Sequence, residues 1–370
     1  MGLLSWLKKK PADGGDQPAE APPAEEAPAE SAADLAESLS ASDGALRVDA
    51  ARALLDRLRN GDDEARKALA ARIGDLFSDE EPAVRATALS ALRLLHAPEL
   101  LEAHQSAVLA LLADPVAQVR TTAVWSAARL RGETARTQVR ALLTCEEEPL
   151  RFAAACALSE LGDSAAVPEL TAALREDHRR QEALSALMSL GDAAALPSVA
   201  ALFEEESLGE FDRTLAAAAL RRMGDPRGAE HLCARIAEGS DDAPIAAEWA
   251  GRLGVGEAVT ALEDTAEREG DPARGAALRA LGRLQAPGAE DRLLAIVRST
   301  DEAEDVRMDA AEGLAELGTA PALDALTALS REEGELASLC RELLAEVAAN
   351  QRLQEEERVR SIASRGGQSP

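Results

Sequence analysis

The chain has 370 residues, a formal net charge of −27, 46% hydrophobic residues and 2% aromatics, with no tyrosine. A surface this negative repels the nucleic-acid backbone, so no nucleic-acid partner is expected. Strand-forming residues are too scarce to build a sheet, and the length that would otherwise suggest two or three globular domains also suits an array that grows without enlarging one core.

Residues 1–10 differ from everything after them. Lys8, Lys9 and Lys10 are three of only four lysines in the chain, the fourth being Lys67. As a helix the decamer sets Leu3, Trp6 and Leu7 on one face, with the lysines at the C-terminal end where the helix dipole favours them. Three readings stand side by side: a docking peptide for a protein partner, a weak membrane-surface anchor, or a translation-start segment with no role. Residues 11–34 turn to Pro, Ala, Glu, Asp and Gly, the composition of a disordered acidic linker with a reach of ~25–30 Å. A short helix between Asp34 and Ser42 then reads as an N-terminal cap.

From there the chain repeats. Arg151 recurs as Arg47, Arg85, Arg120, Arg180, Arg213, Arg274 and Arg307, at intervals of roughly one two-helix repeat, with one doubled interval whose skipped unit carries Ala243 in that column. Three residues after each Arg lies an alanine: Ala50, Ala88, Ala123, Ala154, Ala183, Ala216, Ala246, Ala277 and Ala310. Four further on lie Leu54, Leu92, Ala127, Leu158, Leu187, Leu220, Ala250, Leu281 and Leu314. Small residues one turn before a shared core column are what close helix approach requires. Within a unit, Pro149 opens the first helix, Gly162 closes it and Pro168 starts the second. Glycines 191, 224, 254 and 318 repeat that closure, whereas Gly74–Phe77 and His96–His104 read as looser turns. The repeats run over residues 35–345. A longer helix from Leu336 to about Arg360 caps them, its continuation being residues 346–360, and residues 361–370 are expected to fray.

These units resemble HEAT repeats, in particular the short HEAT-like repeats of the phycobilin-lyase type. The likeness rests on an acidic turn followed by Val-Arg: Asp79 with Val84-Arg85, Asp114 with Val119-Arg120, and Asp301 with Val306-Arg307. It implies an all-α fold, a right-handed α-solenoid of about nine two-helix repeats. It also implies a structural ladder between adjacent turns, built here from Asp79, Arg85, Asp114, Arg120, Asp301 and Arg307. Cys145, Leu174 and Ser207 occupy the Asp column in other units, where the ladder is not carried over. For function the resemblance implies a non-catalytic protein–protein interaction scaffold or adaptor presenting its inner-helix surface, with the decamer as a tethered docking peptide. A bilin lyase or bilin-protein chaperone subunit is the alternative, and a membrane-surface-associated adaptor the third.

Chemical motifs are few. None of His96, His104, His178 and His231 is followed by Glu, unlike the His-Glu pairs of the di-iron hydroxylases built on HEAT repeats. No Cys-x-x-Cys, His-Glu-x-x-His or phosphate-cradling Gly-rich loop is present, so no catalytic, metal or cofactor residue is assigned and no cofactor expected. Cys145, Cys156, Cys233 and Cys340 lack paired spacing, as in a reducing compartment. With no signal peptide and no apolar run of membrane-spanning length, a cytoplasmic location is expected. Trp125 shares a column with Arg52, Ser90, Cys156, Ser185, Ala218, Glu248, Arg279 and Glu312. So mixed a column reads as solvent-facing, making Trp125 either a partner-binding anchor or a ring packed over a neighbouring helix. Trp249 falls in a column of small residues, where it must widen the helix packing, and a local fault is expected there.

Overall fold

The computed structural model describes residues 30–130 and 132–366. The decamer, with Leu3, Trp6, Leu7, Lys8, Lys9 and Lys10, lies outside the described residues, as do residues 11–29 of the predicted linker. Among the described residues every regular element is a helix. They group into two compact units, one ending at Ala195 and the next beginning at Leu196.

The first unit contains α1 (Ala32–Ser38), α2 (Gly44–Arg59), α3 (Asp63–Leu76), α4 (Pro82–Leu95), α5 (Pro98–Ala103), α6 (Gln105–Ala110), α7 (Ala117–Ala127), α8 (Glu133–Ala141), α9 (Glu148–Glu160), α10 (Val167–Ala173) and α11 (Arg180–Leu190). Helices α2, α4, α7, α9 and α11 are the inner helices that carry the repeated Arg and Ala columns, and each packs on the next. The second unit contains α12 (Leu196–Phe203), α13 (Glu210–Arg222), α14 (Pro226–Glu238), α15 (Ala243–Arg252), α16 (Val259–Glu267), α17 (Arg274–Arg283), α18 (Ala289–Arg298), α19 (Glu304–Leu317), α20 (Ala320–Leu329) and α21 (Glu335–Gly366). Its inner helices are α13, α15, α17 and α19, and α21 closes on α19 and α20. Each unit is thus an α-solenoid of two-helix repeats.

The alanine column and the leucine-rich core column after it explain the stacking. No member of either exceeds 3% exposure, so each repeat buries its seam against its neighbours and none could do so alone. Beside these columns the backbones of α17 and α19 nearly touch: a Cβ on Gly282 would collide with the Gly313 carbonyl. Gly162 and Gly191 end α9 and α11 with φ of +68° and +64°, a backbone shape that costs glycine nothing.

Four local expectations need correction. Helix α1 starts at Ala32, inside the predicted linker, because Ser31 and Asp34 form a capping box: the Asp34 amide donates to Ser31 Oγ at 3.2 Å and the Ser31 amide to Asp34 Oδ2 at 3.1 Å. Gly74 is not in a loose turn but within α3, and a side chain there would strike the His104 ring. The stretch from His96 to His104 contains α5, opened by Pro98. Finally, α21 continues past Arg360 through to Gly366.

Candidate functional site

The ladder is built from arginines that look both ways. Arg85 donates through Nη1 to the Asp79 and Glu80 carbonyls, at 2.7 and 3.1 Å, closing the turn before its own helix. Its Nε and Nη2 then reach forward to the Asp114 carboxylate, at 2.7 and 3.0 Å. Arg47 does the same with the Ala41 and Ser42 carbonyls and Asp79. Each carboxylate also braces the turn before the next inner helix, Asp79 accepting from the Glu81 amide and Asp114 from the Val116 amide, both at 2.8 Å. Burial pushes both carboxyls up, but the arginine and amide donors outweigh it and hold them below their ordinary values.

The rungs therefore join different partners from those the sequence pairs. Arg85 touches only the carbonyl of Asp79, and its ion pair is with Asp114. Arg120 donates to the Asp114 and Pro115 carbonyls and pairs forward with Glu147, not with the Asp114 carboxylate. In the Asp301 turn the register is one residue off. Asp301 is exposed, and Glu302 accepts the Arg274 fork at 2.8 and 2.7 Å. Arg307 donates to the Val297 carbonyl at 3.1 Å. The ladder also extends to units where it was not expected, since Arg151 grips the Cys145 carbonyl and reaches Glu169 at 3.3 Å. In the unit that lost its arginine to Ala243, buried Asp242 is held from the outer helix by Arg235, with Ser240 and Thr214 completing its shell.

The column containing Trp125 is not uniformly solvent-facing. Cys156, Ala218 and Glu248 are all buried in it. In the second unit it forms a charge cluster on three successive inner helices. Glu248 on α15, only 3% exposed, accepts from Arg252 at 2.7 Å and from Arg283 at 2.9 Å and lies 3.5 Å from Arg279. Arg279 also pairs with Asp309 and Glu312 on α19, and Arg283 with Glu316. Burial drives the Asp309 carboxyl up to about 6, with Glu312 and Asp305 adding to the push and Arg279 opposing it. Sequence reading missed this cluster, although Glu248/Arg252, Arg279/Arg283 and Glu312/Glu316 are three i, i+4 pairs in successive units. Beside it Trp249 is 1% exposed in an unbroken α15. That helix lies close to α17 and only lightly on α13.

In the first unit the same column offers Trp125, partly exposed on α7. The Arg93 guanidinium lies over its ring, 5.9 Å from the centroid. Next to them is a cleft of about 100 Å³ with Leu92, Ala97, Pro98 and Leu101 as apolar walls and Arg93, Ser126 and Arg129 around them. The Ser126 hydroxyl is spent on the Leu89 carbonyl at 3.3 Å, and Arg129 Nη1 on the Arg93 carbonyl at 3.0 Å. Arg93 and Arg129 were not singled out in the sequence, because they sit in different columns and meet only across α4 and α7.

Nucleophilic and metal chemistry has little to work with in the described residues. Burial raises the thiol pKa of Cys156, Cys233 and Cys340, which disfavours thiolate. Half-buried His231 packs edge-on to Phe203 at 5.3 Å, and desolvation lowers its pKa. No group of three His, Cys, Asp or Glu side chains is set to hold a metal ion among the described residues, and no described helix is long and apolar enough to cross a membrane.

Comparison with known proteins adds the family. The model of HEAT repeats matches residues 104–187 and 259–345. No curated protein matches the chain. Among solved structures, human deoxyhypusine hydroxylase in complex with glycerol is 21% identical, with 68% of this chain and 96% of that one covered and a TM-score of 0.28. A crystal structure of an engineered protein is 16% identical, with 54% and 92% covered and a TM-score of 0.35. Likenesses this distant carry no inference about activity. The repeated Arg and Ala columns, the two-helix units they build and the matched model agree: the chain carries HEAT repeats at residues 104–187 and 259–345.

Proposed function

We propose that the chain is a non-catalytic interaction scaffold that receives a protein partner on its inner helices, with the Trp125 cleft as the principal contact. The observation that carries this reading is a partly exposed tryptophan lying under Arg93, an arginine that also lines a neighbouring cleft with apolar walls. Trp and Arg held rigidly around a small pocket are the side chains that dominate binding energy at protein interfaces, since little entropy remains to be lost on docking. The raised cysteines and the desolvated His231 support a role without covalent chemistry.

The test is affinity capture with the full-length chain and with Trp125→Ala, read by quantitative mass spectrometry. At least one protein should be enriched by the wild type and depleted at least about fivefold by the variant, a loss of roughly 1 kcal/mol or more. Identical capture by both proteins would remove Trp125 from the interface, and turnover of a substrate by the purified chain would end the non-catalytic reading.

A further inference from the structure

We infer that the Trp125 cleft takes an acidic peptide segment carrying one aliphatic side chain. This rests on the scaffold reading above and names the chemistry of the partner. The cleft wall is apolar: Leu92 and Leu101 are 3% and 8% exposed, and Pro98 adds a third apolar side. Its one hydroxyl, on Ser126, is already engaged, so a polar group entering the cleft would lose its water without a replacement. A volume of about 100 Å³ suits a single aliphatic side chain.

The rim has the opposite character. Arg93 and Arg129 are exposed, and among the described residues neither has an ion-pair partner. In a chain of net charge −27 most guanidiniums have carboxylates close at hand, yet these two stand over an apolar cleft with donors to spare. The bond from Arg129 to the Arg93 carbonyl uses one of its five N–H groups, and the Arg93 guanidinium lies over the Trp125 ring. Two guanidiniums beside an apolar slot match carboxylates flanking an aliphatic residue, each able to form a charge-assisted bond. A nucleic-acid strand shares the negative charge but offers no aliphatic side chain to fill the slot.

The experiment pans a random-peptide display library on the full-length chain and, in parallel, on the double variant Arg93→Glu with Arg129→Glu. Both positions are exposed, and circular dichroism of the double variant serves as the check that it folds. Acidic peptides with a central Leu, Ile or Val should be enriched on the wild type alone. A selected peptide, labelled and followed by anisotropy, should bind at least about tenfold more weakly to the double variant, and also to the wild type once its aliphatic residue is changed to Ser. Arg298→Glu, a reversal on α18 in the other unit, should bind as the wild type does. No enrichment, the same peptides on both proteins, or a basic consensus would overturn the inference. So would a single-stranded oligonucleotide that displaces the peptide and is itself lost in the double variant. Should Trp125→Ala lose its captured protein while the double variant keeps it, the scaffold reading stands and the acidic-peptide inference falls.

Discussion

A single ladder arginine does two jobs that no other side chain can combine. Arg85 is 11% exposed and Asp114 is 4% exposed, so the pair is largely shielded from water. Its planar fork satisfies two turn carbonyls behind it and both carboxylate oxygens ahead. Arg85→Ala would leave the Asp114 carboxylate with the Val116 amide as its hydrogen-bond donor and would strand the two carbonyls. The expected loss is about 2–3 kcal/mol, below the figure for a fully buried pair because the site keeps some solvent. Arg85→Lys should recover little of it, since an ammonium cannot span both ends. The comparison is Arg59→Ala, whose partner Asp56 is 65% exposed and whose loss should fall within about 0.5 kcal/mol. Urea midpoints of the three variants decide it, and equal midpoints for Arg85→Ala and Arg59→Ala would reduce the ladder to a solvated ornament. The arginine column was legible in the sequence because every unit repeats it. The partner of each arginine was not, because a rung spans a whole repeat and the acid that answers it drifts: Asp114, Glu147, Glu169 and Glu302 all serve.

At the scale of elements, three inner helices share one charge problem. Glu248, Asp309, Glu312 and Glu316 face Arg252, Arg279 and Arg283, four acids against three bases. A proton on one acid balances the cluster, and Asp309, with its carboxyl raised to about 6 chiefly by burial, is where it goes. The sign follows from linkage. Between about pH 4 and 6 the folded chain binds a proton that the unfolded chain has released, so stability falls as pH rises through that window. Asp309→Asn keeps the shape and removes the charge, leaving Arg279 with Glu248 and Glu312. It should match the wild type near pH 4.5 and exceed it at pH 7.5 by about 1–2 kcal/mol, measured as the difference in thermal midpoint at each pH. A variant less stable than the wild type at pH 7.5 would mean that the charged carboxylate stabilises α17 against α19. Helices α15, α17 and α19 were themselves readable from the Ala columns and Gly turns. The cluster was not, because its column reads as a solvent-facing mixture until neighbouring helices close over it. The Trp125 cleft was half legible for a related reason: the indole stood out in its column, whereas Arg93 and Arg129 acquire meaning only when α4 and α7 lie side by side.

For the whole molecule, stability should be a sum over repeats and their junctions rather than the property of one core. Each compact unit has its own buried seam and, by chance of sequence, its own tryptophan: Trp125 in the first and Trp249 in the second. Placing Arg85→Ala in two reporter backgrounds separates them. With Trp6→Phe and Trp249→Phe, fluorescence follows the first unit; with Trp6→Phe and Trp125→Phe, it follows the second. Arg85→Ala should lower the urea midpoint seen by Trp125 by the full effect of the lost rung, and that seen by Trp249 by less than half as much, because long repeat arrays lose all-or-none cooperativity. Each comparison is made within one background, so the cavity left by Trp249→Phe cancels. Equal shifts at both reporters would show that a break in one rung is felt along the entire chain, and the nearest-neighbour description of this array would have to be abandoned.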